Sequence, residues 1–148
     1  MSTDLSALFR RYLSTMVLNS LATAEAAGLN ATDYYALNLL DLSGPLTSGE
    51  LAVRTGLTTG ATTRLIDRLE QAGYVRRAPD PADRRKVMVE SVAEPAGLDK
   101  VLKGTRSRLG AVFQGYSAEE LATLRDYFER ASAAYGEATD ELIASRDA

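Results

Sequence analysis

The sequence predicts a mostly α fold carrying one small β-hairpin, on three observations. Apolar residues recur at three- and four-residue spacing over most of the chain. Glycines and Ser/Thr residues at capping positions divide that pattern into separate helices. Only the stretch from Gly73 to Glu90 departs from it, with two short β-prone segments around a loop rich in proline and aspartate.

The elements follow in order. Leu5 to Ala27 reads as a helix, with Leu5, Leu8, Tyr12 and Met16 at helical spacing and Gly28 as the stop. Thr32 is the expected cap of a short helix from Asp33 to Leu42, ended by Ser43-Gly44-Pro45. Thr47-Ser48-Gly49-Glu50 is a capping box, and Gly56 ends its short helix at Thr55. Thr58 caps the next helix, which runs to about Ala72 with Ala61, Leu65, Ile66 and Leu69 as its apolar face. Tyr74–Arg77 and Lys86–Glu90 are the two arms of the hairpin, around Pro79-Asp80-Pro81-Ala82-Asp83-Arg84. A helix with Leu98, Leu102, Leu109 and Val112 follows. Ser117–Glu120 is a second capping box, opening a helix striped by Leu121, Leu124, Phe128, Tyr135 and Leu142.

Composition narrows the function. Cysteine and histidine are both absent, which removes disulfides, thiol nucleophiles and His- or Cys-based metal sites, so neither a metal nor a cofactor is expected. An enzyme is not expected either: Glu119 and Glu120 are accounted for by the capping box, and no other groups converge on them. No apolar run is long enough to cross a bilayer. The opening Met1-Ser2-Thr3-Asp4 lacks a basic segment and a cleavage pattern, so no signal peptide is expected and the cytoplasm is the expected location. The net charge of −3 is unevenly spread: residues 54–86 hold eight cations and four carboxylates, a local +4, and the remainder carries −7. A basic centre between acidic ends is the footprint of a local polyanion site or of a solvated basic surface.

A short helix, a tight turn at Gly56, a longer polar-faced helix and a basic hairpin together describe a winged helix-turn-helix. The major groove admits a helix of this kind. Thr58, Thr59, Thr62 and Thr63 are short hydroxyl side chains at its start, and Gly60 gives clearance. Arg64 is long enough for a guanine edge or a phosphate. Arg84, Arg85 and Lys86 lie at the hairpin tip, where an arginine can enter a minor groove. Asp83 is expected to hold an arginine of the helix or wing. Each threonine also has an ordinary reading as a cap, and a winged domain can serve protein contacts without DNA.

Leu46 to Glu90 resembles the multiple antibiotic resistance regulator (MarR) family. The resemblance is carried by the run from Gly56 through Thr62-Thr63-Arg64-Leu65-Ile66-Asp67-Arg68-Leu69-Glu70 to Arg77, and then by Asp80-Pro81-Ala82-Asp83-Arg84-Arg85. It implies a homodimeric transcriptional repressor with N-terminal (1–30) and C-terminal (92–148) dimerisation helices around a DNA-binding domain at 31–91. It implies binding to double-stranded palindromic DNA, released by a small aromatic or phenolic effector, and no membrane partner. Thr59, Thr62, Thr63 and Arg64 then fall on the reading face and Arg84 at the wing tip. Arg68 contacts phosphate or pairs with Asp83. Tyr12, Tyr34, Tyr35 and Tyr116 are candidate effector-pocket residues, each with a structural alternative. Ser91-Val92-Ala93-Glu94-Pro95 departs from the family's usual Leu-Thr-type start of the helix after the wing.

Overall fold

A computed structural model describes residues 3–92 and 96–146. They form two compact units, one ending at Leu102 and the other beginning at Lys103. The first contains α1 (Thr3–Ala26), α2 (Ala31–Ser43), β1 (Leu46–Thr47), α3 (Ser48–Thr55), α4 (Thr59–Gln71), β2 (Val75–Pro79), β3 (Val87–Ser91) and the start of α5 (Ala96–Phe113). The second contains the rest of α5 and α6 (Ala118–Arg146).

Local chemistry sets the element ends. Asn30, not Thr32, caps α2: its Oδ1 accepts the N–H of Asp33 at 2.8 Å, so the helix starts at Ala31 and Thr32 lies inside it. The Thr47 capping box is formed in both directions, with the Thr47 N–H donating to Glu50 Oε2 at 2.8 Å and the Glu50 N–H donating to Thr47 Oγ1 at 3.2 Å. The backbone N–H of Thr47 most strongly, and then its hydroxyl, hold the Glu50 carboxyl below its ordinary pKa. Gly56 then ends α3 at φ 68°, a left-handed conformation that a side chain would strain. The chain reverses at once into Thr58, the cap of α4, which accepts the Ala61 N–H. Ser117 and Glu120 make the second capping box at the start of α6.

The hairpin is part of a three-stranded antiparallel sheet in the order β1-β3-β2. Its first strand is only two residues long and pairs Leu46 with Val89, too short to leave a period-two pattern in the sequence. Leu46, Val75 and Val89 point to one face, where they meet Leu37 and Leu40 of α2, Leu51 of α3, and Leu65, Ile66 and Leu69 of α4. Leu98 of α5 completes this core. Tyr74 closes it at one side, its hydroxyl donating to the carbonyl of Ala27 at 3.0 Å. Ala93, Glu94 and Pro95, most of the segment in which the departure from the family pattern falls, lie outside the described residues.

Burial on α4 predicts a sharp contrast between two aliphatic positions. Leu65 is wholly buried and Val53 of α3 is 76% exposed. Leu65→Ala is expected to cost about 2–5 kcal/mol through lost packing and the cavity it leaves. Val53→Ala should change stability by no more than about 0.5 kcal/mol. Urea denaturation of both variants against the parent chain measures the difference.

Candidate nucleic-acid interface

A helix of α4's length can bury one stripe. Thr62, Leu65, Ile66 and Leu69, spaced by three, one and three, are the buried positions. Thr62 thus replaces Ala61 as the first member of the inner stripe and does not lie on the reading face where the family resemblance set it. It is fully buried, and its hydroxyl donates to the carbonyl of Thr58 at 3.0 Å. That bond satisfies the only polar group of the side chain, so its methyl can pack in the core. Thr58, Thr59, Gly60, Thr63 and Arg64 are exposed on the opposite side, with Asp67 and Arg68 further along. The exposed Thr63 hydroxyl donates to the carbonyl of Thr59 at 3.0 Å.

The hairpin holds itself in shape. Asp80 Oδ1 accepts the Ala82 N–H at 2.8 Å, and Asp83 Oδ1 accepts the Arg85 N–H at 3.1 Å. The Asp80 N–H donates to the carbonyl of Lys86, and the Lys86 N–H donates to that of Asp83. Asp83 thus holds a wing arginine, Arg85, by its backbone N–H, and among the described residues it makes no ion pair with a guanidinium, that of Arg68 included. These local Asp turns leave Arg84, Arg85 and Lys86 exposed at the tip.

Arg68 has a different partner. Its Nε donates to Asp33 Oδ2 at 2.9 Å and its Nη2 to Asp33 Oδ1 at 2.7 Å, a two-point fork between α4 and α2. That carboxylate raises the arginine's pKa above its usual value. Sequence reasoning passed over Asp33, although a signal was there: Asp33, Ala36, Leu37 and Leu40 share one buried stripe of α2, and an aspartate on such a stripe demands a cation.

A second ionic contact joins the wing to α4. Alternation along β2 places Arg77 on the same face as Val75, toward the helices, because Arg77 lies opposite the buried Val89. Its guanidinium donates to Asp67 at 2.6 Å and also to Glu70, while its backbone N–H donates to Glu70 Oε1 at 3.1 Å. Arg76, on the other face, donates to Glu90 at 2.5 Å across the hairpin, and Arg54 donates to the Ser43 hydroxyl at 2.7 Å.

Two of the four candidate pocket tyrosines share one groove within the first unit. Tyr34 and Tyr35 line a shallow groove of about 210 Å³ between α1 and α2, together with Met16, Val17, Leu21 and Asn38. Tyr12 lies on α1 away from that lining, and Tyr116 belongs to the second unit. Among the described residues no cluster of acidic side chains could hold a metal ion, and no helix is long and apolar enough to cross a membrane.

A short bracing helix, a glycine turn, an outward polar helix and a self-supported basic hairpin define a winged helix-turn-helix DNA-binding domain. The MarR family's sequence profile matches residues 27–86. The chain is 38% identical over 122 residues to the uncharacterised HTH-type transcriptional regulator YcgE of Bacillus subtilis, covering 82% of this chain and 73% of that one. It is 38% identical over 92 residues to the HTH-type transcriptional repressor YetL of the same organism, covering 59% of this chain and 55% of that one. A MarR family protein from Bacillus stearothermophilus has the same fold, with a TM-score of 0.65, 22% identity, and coverage of 90% of this chain and 94% of that one. The chain belongs to the MarR family of transcriptional regulators and is a DNA-binding regulator, not an enzyme. A winged domain serving only protein contacts is not favoured by these relatives.

The Arg77 contact generates a prediction of its own. Its members are partly exposed, so Arg77→Ala should cost no more than about 1 kcal/mol of global stability after solvent screening. The wing should nevertheless loosen. Amide hydrogen exchange in β2 is expected to speed up in the variant while exchange in α2 stays as in the parent chain.

Proposed function

We propose that the chain is a cytoplasmic repressor that binds a palindromic operator as a homodimer, reading the major groove with the exposed start of α4 and a flanking minor groove with the wing tip. The observation that carries this reading is a division among the cations of residues 54–86. Arg54, Arg68, Arg76 and Arg77 are engaged within the fold. The side chains of Arg64, Arg84 and Arg85 have no ion pair or hydrogen bond among the described residues, and they stand on the two elements that a winged domain presents to DNA. Lys86 extends the same tip.

Thr58, Thr59, Gly60 and Thr63 allow close approach of α4, and Arg64 spans the remaining distance to a base edge. Loss of a two-point arginine–guanine contact costs about 1–3 kcal/mol. Arg64→Ala is expected to relax base preference at one or two positions of each half-site. Arg84→Ala should weaken binding most where A·T-rich flanks narrow the minor groove. Binding-site selection from a random duplex pool, repeated with each variant, reads both effects.

Dimerisation is supported by apolar side chains that neither unit buries. Leu8, Tyr12, Met16 and Leu18 of α1 are exposed, as are Leu109, Phe113, Phe128 and Tyr135 of the second unit. Phe113, Leu121, Leu124 and Phe128 line an open apolar groove of about 470 Å³. Exposed surface of this kind is usual for an interface and unusual for a monomer. A second copy is the proposed cover, formed through the helices of residues 1–30 and 92–148. The name of the relative YetL supports repression, and the α1–α2 groove with Tyr34 and Tyr35 is the proposed seat of a small aromatic effector. Leu124→Asp should bury an unpaired carboxylate in the interface, abolish the dimer in analytical ultracentrifugation and abolish operator binding with the DNA-facing residues untouched.

A further inference from the structure

We infer that Asp33 is a positioning residue for DNA recognition that sets the overall, sequence-independent affinity by withholding Arg68 from the phosphate backbone. The inference rests on α4 being the DNA-reading helix. Arg64 and Arg68 are four residues apart and are neighbours on α4. The Arg64 side chain has no ion pair or hydrogen bond among the described residues, whereas both oxygens of Asp33 hold Arg68. The two side chains differ in burial, at 50% exposed for Arg68 and 4% for Asp33. The carboxylate is thus fixed in the core edge, and the arginine it holds stands at the surface beside the reading face.

An arginine free at that place would neutralise a phosphate. Such a contact adds affinity for every sequence alike, because phosphate contacts position a protein and carry no base information. Held by Asp33, Arg68 presents a neutral pair instead of a free cation. Discrimination stays with Arg64 and the threonines, and α4 is anchored to α2 by the same bond. Asp67 and Glu70 treat Arg77 alike at the wing seam, but they are exposed to a degree that Asp33 is not.

The test is fluorescence anisotropy on two probes: a duplex selected by the wild-type protein from a random-sequence pool, and a scrambled duplex of the same composition. Each is titrated across roughly 50–200 mM salt, where phosphate contacts dominate the slope of log K against log salt. Asp33→Asn, checked for folding by circular dichroism, should steepen the slope by about 0.9 for each arginine released. It should also raise affinity for the scrambled and the selected duplex by the same factor, since a phosphate contact carries no base information. Arg68→Gln and the double variant Asp33→Asn/Arg68→Gln should both keep the wild-type slope. If Asp33→Asn does not fold, these two decide the matter. A slope shallower by about 0.9 per engaged helix in Arg68→Gln means that Arg68 already touches phosphate, and overturns the inference alone. A folded Asp33→Asn with the wild-type slope also overturns it. A flat wild-type slope overturns the DNA-interface reading and this inference with it.

Discussion

A single amphipathic helix has to fill the core and, in the proposed function, meet the DNA as well, and that constraint organises the whole domain. Leu65, Ile66 and Leu69 of α4 are wholly buried against α2, α3 and the sheet. Each such side chain contributes about 1.5–3 kcal/mol of burial, far more than any rotation of the helix could recover elsewhere. The rotational setting of α4 is therefore fixed, and with it the identity of the outward residues. Thr59, Thr63 and Arg64 face out because their neighbours must face in. The Gly56 turn and the Thr58 cap fix where the helix begins, so the outward face also has a definite starting point.

The same segment solves a charge problem. A chain of net −3 must present positive charge to a polyanion, and it must do so without making its central domain repel itself. The carboxylates within and near the basic centre are spent on chosen cations. Asp33 takes Arg68, Asp67 and Glu70 take Arg77, and Glu90 takes Arg76. Asp80 and Asp83 take backbone N–H groups instead and give the wing tip its shape. Among the described residues, the arginines of this segment left without an ion pair or side-chain hydrogen bond are Arg64 on α4 and Arg84 and Arg85 at the wing tip. The local excess of positive charge is thereby concentrated at two places on the domain, the arrangement that electrostatic steering and groove insertion both favour.

Much of this was legible from residue order alone. The capping boxes at Thr47 and Ser117 and the glycine stop at Gly56 have short-range signatures, and each governs its own few residues. The hairpin was visible because its loop is rich in proline and aspartate. The misreadings share a physical cause, a partner far away in sequence or a competing local bond. Thr62 reads as polar by residue type, yet an intrahelical bond makes it a core residue. Thr32 reads as a cap, but Asn30 offers a side-chain acceptor two residues earlier. Arg68 finds a partner 35 residues upstream, which no local pattern announces. The strand β1 exists only because β3 lies beside it.

In the proposed complex, base identity is read by α4 in the major groove while the wing occupies a minor groove. Methylation interference with dimethyl sulfate tests it most directly, since guanine N7 lies in the major groove and adenine N3 in the minor groove. On a duplex selected from a random pool, guanine N7 interference is expected in two segments about 10 bp apart, with adenine N3 interference in the flanks. Tight, salt-sensitive binding with no interference at either position would mean that the protein holds only the phosphate backbone, and would contradict that arrangement.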